Sequence, residues 1–189
     1  LAYFGAKILH PTCVLPAKQA NIPVRLLNTM DPQAKGTLIS TKCNQKSIQA
    51  VAAKDGITAI KIKSGRMLLA HGFLRKVFEI FELYKTSIDM ITTSEVGVSV
   101  TIDNTKHLDE ILNALRQYGT VTVDKDMVII CVVGDMDYHN IGFQAKVVNA
   151  LKDIPVRMIS YGGSNYNVSF LVSANDKKTA LQSLSKNLF

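Results

Sequence analysis

The sequence predicts an α+β fold made of two similar units, with a shorter and less regular segment in front of them. Three observations carry that prediction: stretches that alternate apolar and polar residues, segments striped at helical spacing, and an order of elements that occurs twice.

From residue 1 to about residue 40 the chain is rich in Pro, Gly and Asn between short apolar pieces. Residues 22–28 predict a short buried strand, and Asp31-Pro32-Gln33-Ala34-Lys35-Gly36-Thr37 is turn chemistry. This is too little chain to form a domain alone. The pattern becomes regular near residue 57. Residues 58–63 alternate, with Ala59, Ile60 and Ile62 as the apolar members of a half-buried strand. Phe73, Val77, Ile80, Phe81 and Tyr84 then fall at i, i+4, i+7, i+8 and i+11, the apolar stripe of a helix. Strand-like residues 87–92 and 96–102 follow, with turn-capable Ser94 and Glu95 between them. Leu108, Ile111, Leu112 and Leu115 mark a second helix, and residues 121–123 a closing strand. The order is β-α-β-β-α-β.

That order then recurs: a strand over residues 127–133, a helix over 143–151, strands over 156–161 and 167–172, and a helix over 176–188 capped by Ser173 or Asn175. Met90-Ile91 aligns with Met158-Ile159, and Val98-Ser99-Val100 with Val168-Ser169-Phe170, which marks a tandem duplication. The second unit ends in a helix and lacks a fourth strand, and an unfinished sheet leaves a pairing edge to be filled. The one unclaimed candidate is residues 47–53. The expected division is therefore residues 1–40 as a leading segment, 57–124 as a first unit, and 47–54 plus 125–189 as a second unit into which the first is inserted.

Composition narrows the function classes. With 47% hydrophobic and 20% charged residues the chain has enough apolar material for ordinary globular cores. Its longest apolar run, residues 127–133, is too short to span a bilayer. The start has neither a basic n-region nor an apolar h-region, so it reads as an excised piece and not a signal peptide. Cys13, Cys43 and Cys131 are odd in number and far apart, which predicts reduced thiols and a cytoplasmic protein. His10 and Cys13 lack a second pair, so no metal site is expected. The net charge of +7 is scattered, with no cluster longer than Lys177-Lys178, which speaks for a solvated face. The field still favours small anions such as nucleotides and carboxylates.

A β-α-β-β-α-β unit is the ferredoxin-like plait, which hosts many functions. RNA-binding versions carry stacking aromatics on one strand; the corresponding Val96-Gly97-Val98-Ser99-Val100-Thr101 has none, which argues against nucleic acid. Nothing matches G-x-S-x-G or a Walker A loop. Tyr161-Gly162-Gly163-Ser164-Asn165 lies between two strands, not before a helix, so it predicts a turn and not a phosphate cradle. The junction Met67-Leu68-Leu69-Ala70-His71-Gly72-Phe73-Leu74 is more informative. Glycine there admits a ligand close to the backbone, and the helix N-terminus behind it suits an α-carboxylate. Asp89 and Glu95 are candidates to receive an ammonium group. A second reading stays open on the residues alone: Gly72 as an ordinary loop residue and both acids solvated.

Phe4-Gly5-Ala6-Lys7-Ile8-Leu9-His10-Pro11 resembles the G-A-K-V-L-H-P segment near the end of the aspartokinase catalytic domain. The stretch from Ile22-Pro23-Val24 to Gly36-Thr37 resembles the segment after it. Gly72-Phe73-Leu74, Val77-Phe78 and Ser87-Ile88-Asp89-Met90-Ile91-Thr92-Thr93-Ser94-Glu95-Val96 look like the first ACT domain of the lysine-sensitive, monofunctional bacterial enzymes. Arg157 to Gly162 and Asn167 to Val172 look like the second. The resemblance covers nearly the whole chain. It implies a remnant of the α/β kinase domain followed by two ACT domains, the allosteric region of an enzyme that phosphorylates L-aspartate with Mg-ATP on the way to lysine, threonine and methionine. It implies feedback inhibition by an end-product amino acid, L-lysine, touching Met67, Ala70, Phe73, Leu74, Ser87, Ile88, Asp89, Ser94 and Glu95. It places Lys7 and Ile8 at the nucleotide. It also implies a homodimer through the ACT domains, extendable to a tetramer, and contact with the chain's own kinase domain. Neither a membrane nor nucleic acid is implied as a partner. Two positions depart from the lysine-sensitive pattern: Ala70 replaces a serine and Leu69 a histidine. The K-F-G-G-T phosphate-binding segment is absent, so no catalytic residue, cofactor or metal is expected in this piece. The alternatives are the regulatory region of a threonine-sensitive enzyme fused to homoserine dehydrogenase, and a stand-alone ACT sensor.

Overall fold

The computed structural model describes residues 9–40, 48–67, 71–137 and 139–189. The chain divides into two compact units, Leu1–Ser47 and Ile48–Phe189. In the smaller one, helix α1 (Pro11–Gln19) precedes strands β1 (Val24–Leu26) and β2 (Thr37–Ile39), which pair antiparallel through Arg25↔Leu38. The helix was not legible because Pro11 and Pro16 read as breakers. Pro11 opens the helix, where its missing N–H is no loss, and the His10 side chain caps it by accepting from the Thr12 N–H at 3.4 Å. The strand predicted over residues 22–28 is shorter and wetter than expected. Val24 and Leu26 are half-buried and Ile22 is 60% exposed, because a ribbon of two strands has little to bury them against.

The larger unit contains β3 (Ile48–Lys63), α2 (Phe73–Leu83), β4 (Ile91–Ser94), β5 (Gly97–Ile102), α3 (Leu108–Leu115), β6 (Thr120–Gly134), α4 (Phe143–Ala150), β7 (Val156–Ser160), β8 (Asn167–Ser173) and α5 (Lys177–Leu188). Six strands form one sheet in the order β4-β5-β3-β6-β8-β7, all antiparallel. Residues 121–123 and 127–133, predicted as separate strands, are parts of the single strand β6. It pairs with β3 along nearly all of its length. The later half of β3 lies beside the start of β6 (Ile60↔Val123, Lys63↔Thr120), and the earlier half beside its end (Lys54↔Ile129, Ala50↔Val133). The register shifts between Lys54 and Ile57 and again between Ile57 and Ala59. Asp126 has φ 53 at the same point of β6.

Each half of the sheet carries two helices and its own core. In the first, Ile60, Ile62, Val98, Val100 and Ile102 meet Val77, Phe81, Ile111 and Leu115. In the second, Val128, Ile130, Val132, Val168 and Phe170 meet Val147, Ala180 and Leu184. In the first half the helix residues are the stripes at helical spacing read from the sequence, and Ile60 and Ile62 the apolar members of the alternating strand. The other sheet face is buried as well: Ala59, Met90, Ile129, Cys131 and Leu171 belong to neither helix-covered core and are almost inaccessible. The outermost strands β4 and β7 touch each other, so the sheet curls over this bare face and closes it from water.

Gly119 lies in the turn between α3 and β6, where a Cβ would stand 2.3 Å from the Lys63 carbonyl oxygen. Gly119→Ala should therefore force β6 away from the end of β3. The expected loss is ~1–3 kcal/mol, seen as a lower urea midpoint at unchanged slope.

Candidate functional site

Helix α2 starts at Gly72, whose φ of 79 lies in the left-handed region, and no side chain caps its first turn. The first turn contains no acidic residue, and its leading N–H groups have no carbonyl partner within the helix. Phe73 is buried and meets Tyr118 edge-on at 6.4 Å. Leu74, Met67 and Ile88 pack at the margin of the same core. The Ser64 N–H donates to the Val96 carbonyl at 2.8 Å, tying the loop that carries Met67 to the β4–β5 turn. Ser94 and Glu95 are exposed on that turn. Met67, Phe73, Leu74, Ser94 and Glu95 therefore share one end of the first half-sheet.

Residues 87–89 sit at the other end. The Asp89 N–H donates to the Thr101 carbonyl at 2.9 Å, and the Met90 N–H to Thr101 Oγ1 at 2.9 Å. Ser87 is exposed and Ile88 half-buried. The Asp89 side chain is only 3% exposed, with Oδ1 3.4 Å from Lys54 Nζ; the same ammonium lies 2.7 Å from Asp103 Oδ2. Five residues of extended chain separate Asp89 from Ser94, roughly 16 Å. One amino-acid ligand cannot bridge that gap, so a single chain gathers the candidate residues into two groups. Lys7, Ile8 and Ala70 lie outside the described residues. Lys54 and Asp103 are ionic neighbours of Asp89 that the sequence did not reveal: they stand 35 positions before and 14 after it, and no spacing rule links them.

The second half-sheet repeats the frame with different chemistry. Gly142, φ 93, opens α4, and Phe143 meets Tyr161 at 5.7 Å. Five residues before that glycine stands Asp137, where the first unit has Met67 before Gly72. Asp137 Oδ1 accepts the His139 N–H at 2.9 Å and lies 2.7 Å from His139 Nδ1. Its Oδ2 accepts from Asn165 at 3.1 Å. The main-chain N–H of His139 first, and its ring second, hold the Asp137 carboxyl below the usual carboxylate range. Residues 161–166 form the predicted turn between β7 and β8. No helix among the described residues is long and apolar enough to cross a membrane.

Residues 130–188 match the family model of the ACT domain. A structure described as the C-terminal regulatory domain of aspartate kinase from Porphyromonas gingivalis W83 shares 64% identity. It matches over 74% of this chain and 96% of that one, with a TM-score of 0.68. This chain belongs to the aspartokinase family. Aspartokinase 1 of Arabidopsis thaliana is 38% identical over 100% of the chain and 35% of its own length. Aspartokinase III of Escherichia coli, solved in complex with lysine and aspartate, is 36% identical with a TM-score of 0.85 over 100% of this chain and 44% of that one. The chain thus spans between about a third and a half of the curated aspartokinases it matches, and corresponds to their ACT-containing regulatory region. An NMR titration should find the Asp137 carboxyl below the ordinary aspartate range. In His139→Ala the value should recover only in part, because the main-chain donor remains. The stabilisation tied to this depressed group is present above the unfolded-state pKa and disappears as pH falls through the folded value.

Proposed function

We propose that this chain senses an end-product amino acid, L-lysine, and reports its presence to an aspartokinase catalytic domain. In this reading residues 1–40 are the end of that kinase domain, with Lys7 and Ile8 at the nucleotide. Residues 57–124 form the sensing ACT domain, inserted into a second one made of 47–54 and 125–189. The parent protein converts Mg-ATP and L-aspartate to 4-phospho-L-aspartate. The observation that carries the reading is the pair of complementary ends on the first half-sheet: an uncapped helix start for a carboxylate and a buried Asp89 for an ammonium group. The lysine-bound E. coli relative supports the choice of ligand.

The separation of those ends supports a dimer. β4 is the last strand of the sheet order, and although β7 approaches it, its outer edge has no hydrogen-bonded neighbour among the described strands. A second copy lying antiparallel along that edge brings Asp89 of one chain toward Ser94 and Glu95 of the other. The ligand is then held by Met67, Ala70, Phe73, Leu74, Ser94 and Glu95 from one side and by Ser87, Ile88 and Asp89 from the other. Such a ligand favours whichever arrangement of the dimer it binds better, with a coupling of about 1–3 kcal/mol.

Isothermal titration with L-lysine and then L-threonine, with mass by light scattering, tests this reading. Lysine binding to a dimer is expected, with no comparable heat from threonine. Asp89→Ala should abolish the lysine isotherm while retaining a cooperative thermal transition. An isotherm in that variant matching the parent chain would sink the site.

A further inference from the structure

Lys54 stands at the point where β3 passes from one half-sheet to the other, immediately before the register shift between Lys54 and Ile57. Its ammonium reaches into the first half, to Asp103 just past β5 and to Asp89 just before β4. Its chain neighbour Asp55 reaches into the second, where Asp55 Oδ2 lies 2.6 Å from Nζ of Lys177, the first residue of α5. Successive strand residues point to opposite faces, so two adjacent side chains join the proposed amine subsite to the helix layer of the other ACT domain.

We propose that Lys54 is the positioning residue that couples ligand binding at Asp89 to β3, by competing with the ligand's ammonium group for the Asp89 carboxylate. The inference rests on the reading of Asp89 as the amine subsite. With no ligand, Lys54 spans both acids, and the contact with Asp103 is the shorter of the two. When the ammonium of a diamino acid arrives at Asp89, two cations share one buried carboxylate, and their repulsion shifts Lys54 toward Asp103. Lys54 has somewhere to go, so the exchange leaves no buried charge alone. Because the backbone of Lys54 is paired with Ile129 at the edge of the register shift, its movement is felt where the two halves of the sheet meet. A cation placed this way also selects: a neutral side chain in the ligand has nothing with which to displace it.

Two substitutions in the whole chain test this with L-lysine as the probe. Lys54→Met keeps the aliphatic stem and removes the competitor, so the lysine dissociation constant should fall, on the order of fivefold or more. Asp103→Asn removes the alternative partner and leaves Lys54 on Asp89, so the constant should rise. Hydrogen exchange over residues 52–60 should respond to lysine in the parent chain and lose that response in Lys54→Met. A clamp with only a structural role would weaken binding in both variants; opposite shifts are the signature of competition. Parent-like affinity and exchange in Lys54→Met, or a shift of both variants in one direction, overturns the role of Lys54 and leaves the proposed function standing. A parent chain that takes no lysine overturns the function and this inference together.

Discussion

The antiparallel pairing of β3 with β6 is the constraint on which the rest of the larger unit depends. Sixteen residues of one strand and fifteen of the other are shared by two half-sheets that would otherwise be separate plaits. Each half places its helices over one face, and neither has a complete set of strands without the shared pair. The strain of serving two sheets collects at the register shift around Lys54, Ile57 and Asp126. Bulges of this kind sharpen the local bend and twist of a strand, which suits a sheet that must curl until β4 meets β7. The same few residues carry ion pairs into both halves: Lys54 to Asp89 and Asp103, Asp55 to Lys177, and Asp124 to Arg157 of β7 at 2.6 Å. The exposed ones add little energy singly. Their placement matters more, because they fix the orientation of the crossing from both sides.

Much of this was legible in the sequence, because burial imposes a period. Val77, Ile80 and Phe81 on one helix, and Val98, Val100 and Ile102 on one strand, are buried where the stripe and the alternation put them. Ile48 pairs with Gly134 at the far end of β6 from the first half-sheet. What was not legible is what lacks a period. The continuity of β6 through Asp124-Lys125-Asp126 is hidden by three charged residues that interrupt the apolar pattern between the two predicted strands. Helix α1 is hidden by prolines whose effect depends on their position in the helix. The ionic cluster at Asp89 joins residues 35 and 49 positions apart across folded strands, and no local rule reaches that far. The separation of the candidate residues into two groups was hidden for a related reason. Asp89 and Glu95 are near in sequence, but an extended strand converts nearness in sequence into distance in space.

The duplication gives the two halves the same frame and different chemistry. Gly72 and Gly142 open equivalent helices, and Phe73 and Phe143 anchor them. The loop ahead of the first is apolar at Met67, which packs on the core. The loop ahead of the second carries Asp137, whose carboxylate is already engaged by His139 and Asn165. The corresponding loop position is thus a charged, hydrogen-bonded side chain in the second half and an apolar one in the first. The two halves therefore share a frame and differ in the loop residues ahead of the glycine. Asp89 adds a further asymmetry, since the aligned stretch ahead of Met158 in the second half supplies Arg157, a cation paired with Asp124.

A sensor divided between the ends of one edge strand gains something that a closed pocket within one chain lacks. A ligand held by two copies makes occupancy and association one equilibrium, so each favours the other by mass action. In the proposed dimer the ligand would stabilise only the arrangement in which both ends meet, and that differential would be the whole source of any effect elsewhere in the protein. A pocket complete within one chain could bind its ligand tightly in every arrangement and move none of them. In the proposed dimer the edge strand would gather the ligand and the shared strand β3 would carry the consequence. The two are joined at Asp89, where the backbone hydrogen-bonds to Thr101 of β5 and the carboxylate meets Lys54 of β3. A change at the edge thus has a short covalent and ionic route to the one element that both ACT domains must share.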